Sequence, residues 1–121
     1  MDPKDKVVQR SNIKLSIGLN EEKMPIRIDW EADDNPAGQQ QAKAMLLSLF
    51  EPETKDTLRI DLWTKDMQVM EMDRFMFHTL RGLADTYYRA SQNAALANEM
   101  QRFVNYFGEK TGIIPPDNNP H

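Results

Sequence analysis

The sequence predicts an α+β fold, a small antiparallel sheet with helices packed on one face as a two-layer sandwich. Three observations carry it. Three short segments alternate apolar and polar residues with the period of a strand: 12–19, 25–31 and 57–64. Two later segments, 69–91 and a stretch ending near Lys110, carry apolar stripes at helical spacing. The first two strands are close in sequence, and an antiparallel sheet with the helices on its apolar face is the simplest solution for this order.

In chain order, residues 1–10 are polar, lack periodicity and read as a flexible N-terminal arm. "NIKLSIGL" (12–19) places Ile13, Leu15, Ile17 and Leu19 on one side, with Lys14 and Ser16 on the other. "NEEKM" makes a turn. "PIRIDWE" then alternates again, with Ile26, Ile28 and Trp30 inward and Arg27 and Asp29 outward. Pro25 opens that strand, where a missing N–H is tolerated. The two strands form a hairpin.

From Asn35 the period changes. Asn35 is suited to N-cap a helix with Pro36 at its first position, and Asp33 and Asp34 lie at the positive end of its dipole. Ala42, Met45, Leu46 and Leu49 form the apolar stripe, and Pro52 stops the helix. The third strand, "TLRIDLWT" (57–64), turns Leu58, Ile60 and Leu62 inward and Arg59 and Asp61 outward. Its pairing with the first or the second strand stays open. A long helix over 69–91 follows, and Ser91 or Asn93 caps a last helix with Leu96, Met100, Phe103 and Phe107 in one row. Gly112 is its stop, Ile113 can fold back, and Pro115 and Pro116 prevent continuation. The predicted order is β-β-α-β-α-α, in a single domain over 11–114 with a disordered tail over 115–121.

The tripeptide Arg-Ile-Asp occurs twice, at 27–29 and 59–61. In each copy Ile faces the core, while Arg and Asp share the opposite face and can pair. Two strands under one rule produce this echo. The tryptophans argue against a repeated site, because Trp30 follows its Asp directly while Trp63 lies two positions after its own.

Composition excludes several function classes. The chain of 121 residues has no cysteine, so disulfides, zinc-thiolate sites and cysteine nucleophiles are out. Its formal charge is −4, with lysines and arginines scattered, and it carries no basic footprint for nucleic acid. No secretory h-region or membrane-length apolar run is present, which points to a soluble cytoplasmic protein without direct membrane insertion. Phosphate loops, dinucleotide fingerprints, nucleophile elbows and calcium loops are all missing from the pattern. His78 falls on a charged helix stripe with Arg74, Arg81, Asp85 and Arg89, which is a solvated face. No catalytic residue, cofactor or metal ligand is expected, and the protein reads as a non-enzyme.

The long helix carries more apolar surface than one sheet covers. Val69, Met72, Met76, Leu80, Leu83 and Tyr87 form its core face, and Met70, Phe77, Ala84 and Tyr88 a second stripe. Either the last helix covers that second stripe or a partner does. Clustered methionines suit adaptable binding surfaces, and a tryptophan on the polar side of a strand suits a contact anchor. Trp63, Met70, Phe77 and Tyr88 are therefore the candidate interface.

The words "LRIDLWTKDM" and "YFGEK", within "AKAMLLSLFEPETKDTLRIDLWTKDMQVMEMDRFMFHTLRGLADTYYRAS" (42–91) and "MQRFVNYFGEKTGII" (100–114), resemble the gliding motility protein GldC family of Bacteroidota. "IKLSIGLNEEKMPIRIDWEA" is similar to it more loosely. Members of that family often carry proline where Gln68 stands and an acid near Met70, departures confined to the start of a helix. The resemblance implies a cytoplasmic accessory component of gliding, working alongside other motility proteins. It brings no catalytic residues. The expectation is a protein-interaction module that forms a homo-oligomer; the alternative is a chaperone-like holdase or secretion adaptor for motility and envelope proteins.

Overall fold

The structure, a computed structural model, describes residues 3–115. Of the tail expected over 115–121, all but Pro115 lies outside the described residues, as do the first two residues of the arm. The rest of the arm, 4–10, is exposed, and a 3-10 turn runs over Pro3–Asp5.

The fold is α+β, with element order β1 (Ile13–Leu19), β2 (Pro25–Ala32), β3 (Gln40–Ala42), β4 (Ala44–Phe50), β5 (Thr57–Trp63), α1 (Val69–Ser91) and α2 (Ala94–Lys110). The chain divides into two compact units, Met1–Met67 with all the strands and Gln68–His121 with both long helices.

In the strand unit, β1-β2-β3 form one antiparallel sheet and β4-β5 a second. The first sheet is cleanly two-faced. Ile13, Leu15 and Ile17 pair with Ala32, Trp30 and Ile28 on the apolar face, and Ala42 joins them from β3. Lys14 opposite Glu31 and Ser16 opposite Asp29 make the polar face. Ile28, paired on both sides, is the most deeply buried strand residue at 1% exposed. Asp33 and Asp34 close the open end of this sheet. Asn12 donates both its backbone N–H and its amide to Asp33, and the Ser11 hydroxyl donates to Asp34.

The helix expected between Asn35 and Pro52 does not form. Asn35 instead organises a turn, its side chain accepting the Ala37 N–H, and Gly38 takes a left-handed φ of +73°. The segment 40–50 is extended and bent at Lys43. Its first part pairs with β2 and its second with β5, so the third predicted strand pairs with neither of the first two. The helical spacing of Ala42, Met45 and Leu49 has a physical origin in that bend. Ala42 lies on the apolar face of the first sheet, and Met45, Leu47 and Leu49 on the apolar face of the second. Unbroken alternation cannot connect 42 to 45 on one face; a break of register at Lys43 can. Ala, Met and Leu favour helix locally, but a partner strand at each end overrides them.

The two helices keep their predicted bounds. The Glu71 carboxylate accepts the Gln68 N–H at 3.0 Å and caps α1. Asn93 caps α2, accepting from the Leu96 N–H at 3.1 Å. Between them Gln92 adopts the left-handed region at φ 60°, which ends α1 and turns the chain back in two residues. After α2, Gly112 at φ +77° closes a Schellman motif: the Ile113 N–H reaches the Gly108 carbonyl and the Gly112 N–H that of Glu109. This turn brings Ile114, one residue past the expected Ile113, back over Gly108.

Candidate functional site

The seam of the helical hairpin is built from small residues. Ala84 of α1 and Ala97 and Gly108 of α2 are buried, with Phe77 and Val104 filling the remainder. A Cβ on Gly108 would stand 2.7 Å from Phe77 and 2.6 Å from Ile114, so only glycine lets the backbone come this close. The stripe at the seam is the one the sequence ranked second. Phe77 is 5% exposed and belongs to this core, which corrects its place in the candidate interface: a charge there would break the hairpin before any contact with a partner. The α2 seam is also displaced from the predicted row, for Leu96 and Phe103 stand exposed while Ala97 and Val104 are buried.

The other three candidates are exposed. Met70 is 80% exposed at the start of α1, beside Gln68, Glu71, Arg74 and Ile113 along a shallow depression. Tyr88 lies on the flank of the hairpin, in an open groove of about 770 Å³ that also holds His78, Arg81, Asp85, Asn98 and Gln101. His78 is thus an exposed side chain on a polar groove wall, its ring edge-on to Phe77 at 5.3 Å. Trp63 belongs to the strand unit and is 54% exposed. Its partner across the ladder is Ala44, on the face that also carries Arg59 and Asp61.

Both Arg-Ile-Asp copies make the local ion pair that strand geometry predicts. Arg27 and Asp29 meet at 2.8 Å, and Arg59 and Asp61 at 2.9 Å. The bond from Arg27 holds the Asp29 carboxyl below its usual range, with help from the Gln39 side chain, and it raises the arginine. The echo reaches further than the strands. Lys23 and Lys55, each four residues before its arginine, both take a left-handed φ of 63° in their hairpin turns. In both turns a side-chain oxygen of the first residue accepts the N–H two positions on: Asn20 from Glu22, and Glu51 from Glu53. The Thr54 N–H adds a second bond, and these amides hold the Glu51 carboxyl below its ordinary range.

A corner joins the two sheets. The Thr64 N–H bonds to Lys43 O and the Lys65 N–H to Pro25 O. Thr64 is the one buried polar side chain of the described residues, and its hydroxyl donates to Asp66 at 2.6 Å. That bond, with the Lys43 charge nearby, keeps Asp66 ionised below the usual carboxylate range. These groups are structural: they hold the bend that sends the chain from one sheet to the other.

The second sheet exposes apolar side chains on both faces. Met45, Leu47 and Leu49 pair with Leu62, Ile60 and Leu58, six aliphatic side chains on one face, and Leu49, Leu58 and Ile60 are half exposed or more. On the other face Leu46, Phe50 and Trp63 are also exposed. Sequence reasoning missed β4's part in this surface because it assigned the segment to a helix. Among the described residues no group of three or more His, Asp or Glu side chains is placed to hold a metal ion, and no helix is long and apolar enough to cross a membrane.

Comparison with known proteins adds one finding. A family model described as gliding motility-associated protein GldC-like matches residues 25–113, from the start of β2 to the turn after α2. No curated protein and no solved structure matches the chain. The matched span covers both Arg-Ile-Asp strands, the corner at Thr64 and the whole helical hairpin, and by that match the chain belongs to the GldC-like family of gliding motility-associated proteins.

Proposed function

We propose that this protein is a non-enzymatic interaction module of the gliding machinery, acting in the cytoplasm through exposed apolar surface. Its family ties it to gliding motility. The observation that supports the module reading is the aliphatic ladder of β4 and β5, in which Leu49, Leu58 and Ile60 are half exposed or more. Contiguous exposed apolar surface of this kind marks protein contact sites. Trp63 is the strand unit's aromatic anchor, with Met70 and Tyr88 among the exposed apolar positions of the helical unit.

The reading is tested in cells that glide. Leu58→Asp and Trp63→Asp variants, checked for unchanged folding by circular dichroism, replace the wild-type protein. Loss of spreading at normal protein levels supports an interaction surface. Full motility from both sinks it. The holdase alternative draws on the same exposed aliphatics and on Met70. It requires that the purified protein keep an unrelated unfolded chain from aggregating, and light scattering of heated citrate synthase decides that point.

A further inference from the structure

We propose that β5 is a self-complementary edge, and that a second copy of this chain pairs with it antiparallel about a two-fold axis through Ile60. The proposal deepens the module reading by naming one partner and its register.

The hydrogen bonds at both ends of β5 settle which way its peptide groups point. The Thr64 N–H bonds to Lys43 O, and the Glu51 N–H to Asp56 O. Residues two apart in a strand point the same way, so the even-numbered residues of this segment face β4. Thr57, Arg59, Asp61 and Trp63 consequently turn their N–H and C=O groups outward. Among the described residues β5 pairs with β4 alone. Leu58 and Ile60 are 60% and 50% exposed along the edge. A seven-residue strand with unpaired backbone and exposed aliphatics is a template for another strand.

The sequence of β5 says which strand fits. "LRIDL" reads the same in charge-complementary form from either end of Ile60. In an antiparallel pair centred there, Ile60 meets Ile60 of the second copy, Leu58 meets Leu62, and Arg59 meets Asp61. The outward backbone agrees with this register. Arg59 with Asp61 and Thr57 with Trp63 become the hydrogen-bonded pairs, and about eight new bonds close the edge. Ile60 takes the central non-bonded position, where side chains approach closest. On one face the aliphatic ladder continues without a break into the second copy. On the other, the local Arg59–Asp61 pair opens into a four-charge network. An interface in which each residue meets its own counterpart's partner is what a two-fold dimer requires.

Of the other edge strands, β3 and β4 carry no charge, and β1 does not have this property either. Its only charge, Lys14, has no acidic counterpart in the strand, and the register slips between Gly18 and Leu19. Bulges of that kind blunt edges.

The test is native mass by light scattering of the full chain over a dilution series. The wild type is expected to dimerise. Arg59→Asp and Asp61→Arg, each alone, set like charges across the edge at two symmetric places and weaken the dimer by about ten- to a hundredfold. Equimolar mixing of the two single variants restores the dimer, as does combining both changes in one chain. Mixing separates the edge from any effect within a chain, since each variant keeps its own local charge defect. A wild type that is monomeric at every concentration overturns the proposal. So does a dimer indifferent to the single changes, or variants that stay apart when mixed. Those results leave the module reading standing on its motility test, whereas a charge-paired dimer whose Leu58→Asp and Trp63→Asp variants glide normally would sink the module reading alone.

Discussion

The two strand hairpins carry the same words and end in different places. Each has a lysine at positive φ in its turn, then Arg-Ile-Asp four residues later, with the arginine and aspartate bridged across one pleat. In the first hairpin Ile28 is 1% exposed, and in the second Ile60 is 50% exposed. The cause is position in the sheet. β2 has neighbours on both sides, and Ala42 of β3 packs beside Ile28; among the described residues β5 has β4 alone. Identical local chemistry therefore makes a core in one case and an open edge in the other. Burial belongs to the strand's neighbours, while the face a side chain takes belongs to its parity in the sequence.

The largest expected effect separates the two isoleucines. Ile28→Ala should cost about 2–4 kcal/mol of folding stability, whereas Ile60→Ala in the monomer should cost roughly 1 kcal/mol or less, since much of that side chain is already in water. Urea unfolding of both variants, read at concentrations below any self-association, checks the contrast. Equal losses would mean that β5 is covered as well as β2.

The helical hairpin supplies a contrast free of strand position. Gly108→Ala places a methyl against Phe77 and Ile114, and overpacking of this kind should cost about 1–3 kcal/mol. Gly82→Ala, with open space at its Cβ, should instead stabilise α1 by roughly 0.5–1 kcal/mol. Thermal melts of the two variants should move in opposite directions.

A smaller effect tests what the strand hairpins share. Lys23→Gly and Lys55→Gly relieve a left-handed lysine in each turn. Each should shift stability by no more than about 1 kcal/mol, and both in the same direction, because the strain is local and the turns are alike. A response in one hairpin alone would break the likeness.

The smallest is a pH effect. Asp29, Glu51 and Asp66 have folded carboxyls held below their ordinary values of 3.8, 4.5 and 3.8. A depressed carboxyl contributes stability that is complete above its unfolded value and is lost as pH falls through the folded one. Stability should thus hold from neutral pH to about 4.5 and decline below. Glu51→Gln should flatten the first part of that decline, and Asp29→Asn a later part. A profile unchanged by both would remove the turn and the bridge as acid-sensitive points.

Much of the molecule was legible in its residues. The alternation of β1, β2 and β5, the bounds of both helices, the Asn93 cap, the Gly112 stop and the Arg–Asp bridges all depend on residues a few positions apart. So does the family resemblance, carried by "LRIDLWTKDM", which begins in β5, and "YFGEK" at the end of α2. Segment 40–50 was misread because its pattern is the sum of two sheets meeting at Lys43, and a period measured along one segment cannot show a change of partner. The acids at Asp33 and Asp34 were assigned to a helix end for the same reason; they tie Ser11 and Asn12 instead.

The sequence by itself determined which faces of β1, β2 and β5 are apolar, where α1 and α2 begin and end, and that Arg59 and Asp61 share a side. Only the tertiary structure decided that Phe77 is core while Met70 and Tyr88 are exposed, that the helix seam runs through Ala97 and Gly108, and that β5 has one neighbour among the described residues. Periodicity and capping act through bonds and contacts within a turn or a pleat, so they are written locally. Which apolar stripe is covered depends on how closely a second element can approach, and here that is set by a missing Cβ some thirty residues away in the chain.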